Sequence, residues 1–77
     1  MLHLKNVKIS QVKAEADYSP ENSGWWGHIV VNLKNEEIIT YDKHPEYAFM
    51  YPGQALRKLV RMARDGDTGT ECTVMWY

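Results

Sequence analysis

Hydrophobic and polar residues alternate through the first half of the chain and fall into a three-to-four-residue rhythm in one later segment. Residues 2–16 carry the alternation and predict a strand. Its phase slips twice. Leu2 and Leu4 share one parity, Val7 and Ile9 take the other, and Val12, Ala14 and Ala16 return to the first. A slipped period-2 pattern predicts bulges, here near Asn6 and near Ser10–Gln11. Residues 18–24, Tyr-Ser-Pro-Glu-Asn-Ser-Gly, have turn chemistry: proline presets φ, and Asn and Gly tolerate φ > 0.

Residues 26–33 predict the clearest strand. Ile29, Val31 and Leu33 share one face with Trp25, while Trp26, His28, Val30 and Asn32 share the other. Lys34-Asn35-Glu36 turns the chain into a returning strand over 37–42. A three-residue loop would put Ile39 and Tyr41 on the Leu33 face; a two-residue loop would put Ile38 there. Both registers stay open.

Asp42 to Pro52 reads as a connector, because Pro45 disfavours helix through His44. A helix is predicted from about Gly53 to Arg64, with Pro52 in its first turn. Ala55, Leu56, Leu59, Val60 and Ala63 form one stripe with Met62 on its edge, and Arg57, Lys58, Arg61 and Arg64 lie opposite. Gly66 suits the position just past the helix end. The last segment, ECTVMWY, predicts a strand in which Cys72, Val74 and Trp76 alternate with Thr73, Met75 and Tyr77.

The predicted order is therefore β-β-β-α-β. This is an α+β domain spanning residues 1–77, with a mainly antiparallel four-stranded sheet and one amphipathic helix packed on one face. The first three strands form a meander. The last returns beside the first or at an edge, and the pattern does not choose.

Size sharpens the question of what covers the other face. A domain of 77 residues buries only about 60% of the surface its unfolded chain exposes. The lone cysteine, Cys72, allows no internal disulfide, and the N-terminus has no apolar signal-peptide core, so a cytoplasmic protein is expected. No run is long enough to cross a bilayer, and no membrane partner is expected. The net charge of −1 argues against avid, unspecific nucleic-acid binding.

Candidate chemistry is sparse. His3, His28 and His44 lack partners at metal-ligand spacing, Cys72 sits in an apolar strand, and the five glycines are too dispersed for a phosphate loop. No catalytic residue, metal or cofactor is expected, and no enzyme activity. Two surfaces remain. If the helix covers Ile29, Val31, Leu33, Val74 and Trp76, the open face collects Trp26, His28, Val30, Met75 and Tyr77. That set is apolar enough to predict a protein interface, most simply in a homodimer. Tyr47 and Tyr51, in the aromatic loop before the helix, are lesser interface candidates. An exposed edge strand offers a second route to association. The alternative is a nucleic-acid contact through Arg57, Lys58, Arg61 and Arg64, with an exposed aromatic stacking on bases.

The compact β-meander followed by PEYAFMYPGQALRKLVRMA and a terminal VMWY resembles small uncharacterised proteins of phages and prophages of Gram-positive bacteria. The resemblance covers most of the chain and implies an accessory, regulatory or host-inhibiting protein that acts by binding. It brings no activity and no catalytic residues. In element order alone the chain is also similar to antitoxins of HicB type, whose sequence signals it lacks.

Overall fold

The computed structural model describes residues 1–46 and 50–75. The elements run β1 (Leu2–Ile9), β2 (Lys13–Pro20), β3 (Gly27–Asn32), β4 (Glu37–Tyr41), α1 (Met50–Asp65) and β5 (Cys72–Val74). The strands make one antiparallel sheet in the order β4-β3-β2-β1-β5. The α+β class and the single helix on one face hold. The strand count does not: among the described residues there are five, because residues 2–16 are a hairpin rather than one bulged strand.

The two phase slips have different causes. The first is a bulge: pairing with β2 shifts between Lys5 and Lys8, and Asn6 there takes a φ of 54°. Val7 thereby reaches the face of Leu2 and Leu4, and all three are buried. The second is a turn. Ser10 N–H donates to the Lys13 carbonyl at 2.8 Å, and Ser10 Oγ accepts from the Lys13 N–H at 3.1 Å. A serine side chain that bonds its own neighbourhood builds this turn without glycine or proline.

The β3–β4 hairpin takes something from both registers. Pairing shifts between Val30 and Val31, with Val30 opposite Thr40 and Val31 opposite Ile38, so Ile39 is the extra residue of a bulge. Ile38 and Tyr41 both pack on the core, while Ile39 is 53% exposed. Asn32 Oδ1 accepts from the Lys34 N–H at 2.8 Å and so shapes the turn.

The core lies between α1 and one sheet face. Leu2, Leu4, Val7, Ala14, Ala16, Tyr18, Ile29 and Val31 meet Tyr51, Ala55, Leu59 and Met62. Alanines on the central strand β2 let the helix approach closely. Burying a residue such as Leu59 contributes about 1.5–3 kcal/mol. The helix starts at Met50, earlier than predicted, and keeps Pro52 in its first turn. Its buried line runs through Tyr51, Ala55, Leu59 and Met62, so Met62 is central and Leu56, Val60 and Ala63 are half-buried. Gly66, with a φ of 67°, ends it: Asp67 N–H reaches the Met62 carbonyl at 2.9 Å and Gly66 N–H the Ala63 carbonyl at 3.4 Å.

β5 settles where the last strand goes. It pairs with β1, Leu2 opposite Val74 and Leu4 opposite Cys72, at the sheet's edge. Cys72 and Val74 therefore face the helix side and are half-buried. Among the described residues, no helix is long and apolar enough to cross a membrane.

Candidate functional site: the open face of the sheet

The adjacent tryptophans divide between the two sides of the sheet. Trp25 lies over buried Gly27, edge-on to the Tyr18 ring at 5.6 Å and to the His44 ring at 4.9 Å. Tyr18 in turn donates its hydroxyl to the Asp42 carbonyl. Burial, with repulsion from Tyr41 and Asp42 added, raises the Tyr18 phenol to a pKa of about 12. It stays a protonated donor. Asp42 also accepts the His28 N–H on its carboxylate at 2.9 Å and donates its own N–H to the His28 carbonyl at 3.0 Å. This knot fixes the start of β3, and therefore where Trp26 emerges.

Trp26 is 41% exposed, and the Lys5 ammonium sits 4.0 Å from its ring centroid. Such a contact is worth about 0.5–1 kcal/mol at an exposed site, enough to bias the indole toward one position. Beside it, Lys5, His3 and the β5 residues Cys72 and Thr73 line an open groove of about 510 Å³. His3 and Thr73 face each other across β1 and β5, with His3 Nδ1 3.1 Å from Thr73 Oγ1.

The middle of this face is polar. His28 stands opposite Asp17, which stands opposite Lys5. Its Nδ1 lies 2.8 Å from Asp17 Oδ1 and its Nε2 3.2 Å from Glu15 Oε2, an arrangement that suits an imidazolium donating on both sides. The Asp17 hydrogen bond is the main cause of a raised His28 pKa; burial opposes it, and the Glu15 hydrogen bond adds to it. Asp17 is held below the ordinary carboxylate range by His28 first, then by Asn6, whose Nδ2 donates to it at 2.8 Å. This face is more polar than the β3 and β5 residues alone predict, because β1 and β2 place Lys5, Lys8, Glu15 and Asp17 there.

The predicted interface residues scatter accordingly. Trp26 and His28 are exposed neighbours, Val30 is half-buried one step along β3, and Met75 is 61% exposed just beyond β5. Tyr51 is not a surface residue. It is 6% exposed in the core and donates its hydroxyl to Glu21 at 2.7 Å. Glu21 also accepts from the Met1 amino group at 2.9 Å, and these two bonds, the Tyr51 one foremost, lower its pKa. Tyr47 and Tyr77 lie outside the described residues, as does Trp76.

On α1, Arg57, Arg61 and Arg64 are exposed and Lys58 is half-buried. Arg61 lies 4.0 Å from Asp65 and Arg64 3.8 Å from Glu36, long contacts between exposed heads that contribute little. Burial pushes the Cys72 thiol pKa upward, which keeps it protonated and a poor nucleophile. Among the described residues, no three His, Cys, Asp or Glu side chains converge to hold a metal ion. Lys5, Asn6, Asp17 and Glu15 are the site residues that the reading of the sequence missed. Pairing of β1 with β2 was the needed signal, and the hairpin at Ser10 concealed it. Compared with protein-family models, curated proteins and solved structures, the chain matches none of them.

Proposed function

We propose that this protein is a small binding module, an accessory or regulatory protein of phage or mobile-element type, acting through protein–protein contacts at the Trp26 end of its open sheet face. One observation carries the reading: Trp26 is 41% exposed while Lys5, 4.0 Å from its ring, holds it in place. Tryptophan supplies much interface energy for little entropy, and a ring already positioned loses less freedom on binding. Exposed Met75 adds apolar contact area, and the His28 cluster supplies a polar rim.

The test is affinity capture with wild type, Trp26→Ala and Arg57→Glu proteins, then calorimetry on the purified partner. The reading expects binding at least about tenfold weaker for Trp26→Ala and unchanged for Arg57→Glu. A partner that binds Trp26→Ala as tightly as wild type contradicts it.

A nucleic-acid contact through Arg57, Lys58, Arg61 and Arg64 is the second reading, supported by three exposed guanidinium groups on one side of α1. Asp65 and Glu36 beside them weaken the local positive potential. A labelled oligonucleotide titrated at two salt concentrations separates the readings. Phosphate contacts weaken with salt and are lost in Arg57→Glu/Arg61→Glu.

A further inference from the structure

Lys5, Asp17 and His28 stand in one row across β1, β2 and β3. Side chains directly opposite one another on a sheet face are close neighbours, so Asp17 is the natural partner of the Lys5 ammonium. That ammonium lies instead 4.0 Å from the centroid of the Trp26 ring. The reason is on Asp17 itself, because both of its carboxylate oxygens are engaged. Oδ1 lies 2.8 Å from His28 Nδ1, and Oδ2 accepts from Asn6 Nδ2 at 2.8 Å. Asn6 reaches it from the β1 bulge.

The charges around His28 come from every neighbouring strand. Asp17 and Glu15 face the imidazole from β2, 2.8 Å and 3.2 Å from its two nitrogens. Beyond them on β1 stand Lys5, opposite Asp17, and Lys8, opposite Glu15. On the β4 side, the Asp42 carboxylate accepts the His28 backbone N–H at 2.9 Å. α1 lies on the other side of the sheet. A neutral imidazole donates from one nitrogen only, so a His28 that loses its proton gives up either Asp17 or Glu15. Whichever bond it keeps, the positive charge beside Asp17 is gone, and Asp17 attracts the ammonium standing opposite it. The pull of a surface carboxylate on an ammonium and the pull of an indole face on it are of comparable size. One unit of charge at His28 therefore decides between them.

We propose that His28 is a proton-operated latch on the Trp26 surface: protonated, it occupies Asp17 and leaves Lys5 on the indole; neutral, it yields Asp17 to Lys5 and frees the ring. The latch rests on the reading of Trp26 as the contact residue and adds its regulation, since a ring held in place loses less freedom on binding. Partner binding is thus favoured on the acid side of the His28 transition. The Asp17 hydrogen bond, foremost, raises the His28 pKa, so the ring is released as pH rises above about 6.5.

NMR spectroscopy of the free protein from about pH 5 to about pH 9 tests the latch. A lysine seated over an indole has its Cε protons shifted upfield by the ring current. Wild type is expected to show that shift at Lys5 at low pH and to lose most of it with the midpoint of the His28 ring protons. The Trp26 indole N–H resonance should move with the same midpoint. His28→Gln should leave Lys5 unshifted throughout. Asp17→Asn removes the charge that draws Lys5 away and should keep the shift at every pH. Circular dichroism checks that these exposed substitutions leave the fold intact. A Lys5 shift that is absent at low pH overturns the proposal. So does one that outlasts the His28 transition, one retained in His28→Gln, or one that follows His3, which lines the groove beside Trp26. The measurement needs no partner, so its failure leaves the Trp26 reading standing; that reading fails separately, if a captured partner binds Trp26→Ala as tightly as wild type.

Discussion

The ring of Trp25 rests on the backbone of Gly27. A methyl group added at that glycine would come within 2.8 Å of Trp25 Cζ3 and 3.0 Å of Asp42 Cβ. No φ > 0 is involved, so the requirement for glycine is one of space. Gly27→Ala should cost about 1–3 kcal/mol, because the indole must leave its place against Tyr18 and His44. Urea unfolding measures it; a change below about 0.5 kcal/mol would show that the ring moves aside freely.

The His28 cluster makes stability depend on pH with a definite sign. The His28 pKa is raised in the folded state, so its contribution is complete below the ordinary histidine value of about 6.5 and is lost as pH rises through the higher folded value. Asp17 acts in the opposite sense. Its folded pKa is lowered, so its contribution is complete above the ordinary aspartate range and is lost as pH falls through the folded value. The His28 ring is 45% exposed, so solvent screening keeps its share under about 1 kcal/mol. Melting curves of wild type should decline as pH rises above about 6.5, and His28→Gln should remove that decline. An alkaline limb that persists in His28→Gln would assign the effect to another group.

Gly66 ends α1 in a left-handed conformation with a φ of 67°. Gly66→Ala should cost about 1 kcal/mol, because a Cβ is disfavoured there even though nothing lies within 4 Å of it. Thermal melting checks the figure, and an unchanged midpoint would contradict the capping geometry.

Ser10 carries the β1–β2 turn by itself. Ser10→Ala removes the acceptor for the Lys13 N–H and should lower stability by about 1 kcal/mol, with faster amide exchange at Lys13. Exchange at Lys13 as slow as in wild type would show that backbone bonding alone suffices.

The sequence made most of the helix legible, from Pro52 in its first turn to Gly66 just past its end, because caps and a 3.6-residue rhythm are local signals. It also made legible the opposite faces of Trp25 and Trp26, which follow from parity. It hid the β1–β2 hairpin, since Ser10-Gln11-Val12 has no glycine, proline or asparagine and looks like a second bulge. That one turn decides the chemistry of the open face. Once β1 and β2 are separate antiparallel strands, Lys5 comes to Trp26 and Asp17 to His28. Tyr51 was misplaced for a related reason: the helix begins three residues before Gly53, which turns a loop aromatic into a core residue.

The division of labour between the two tryptophans is the claim on which the rest depends, and equilibrium unfolding of Trp25→Ser and Trp26→Ser side by side tests it most directly. Trp25 packs on Gly27, Tyr18 and His44, so its loss should cost about 2 kcal/mol or more. Trp26 gives up an exposed ring and one cation contact, so its loss should cost no more than about 1 kcal/mol. If Trp26→Ser destabilises the protein as much as Trp25→Ser does, both rings hold the fold together, and Trp26 is not held ready for a partner.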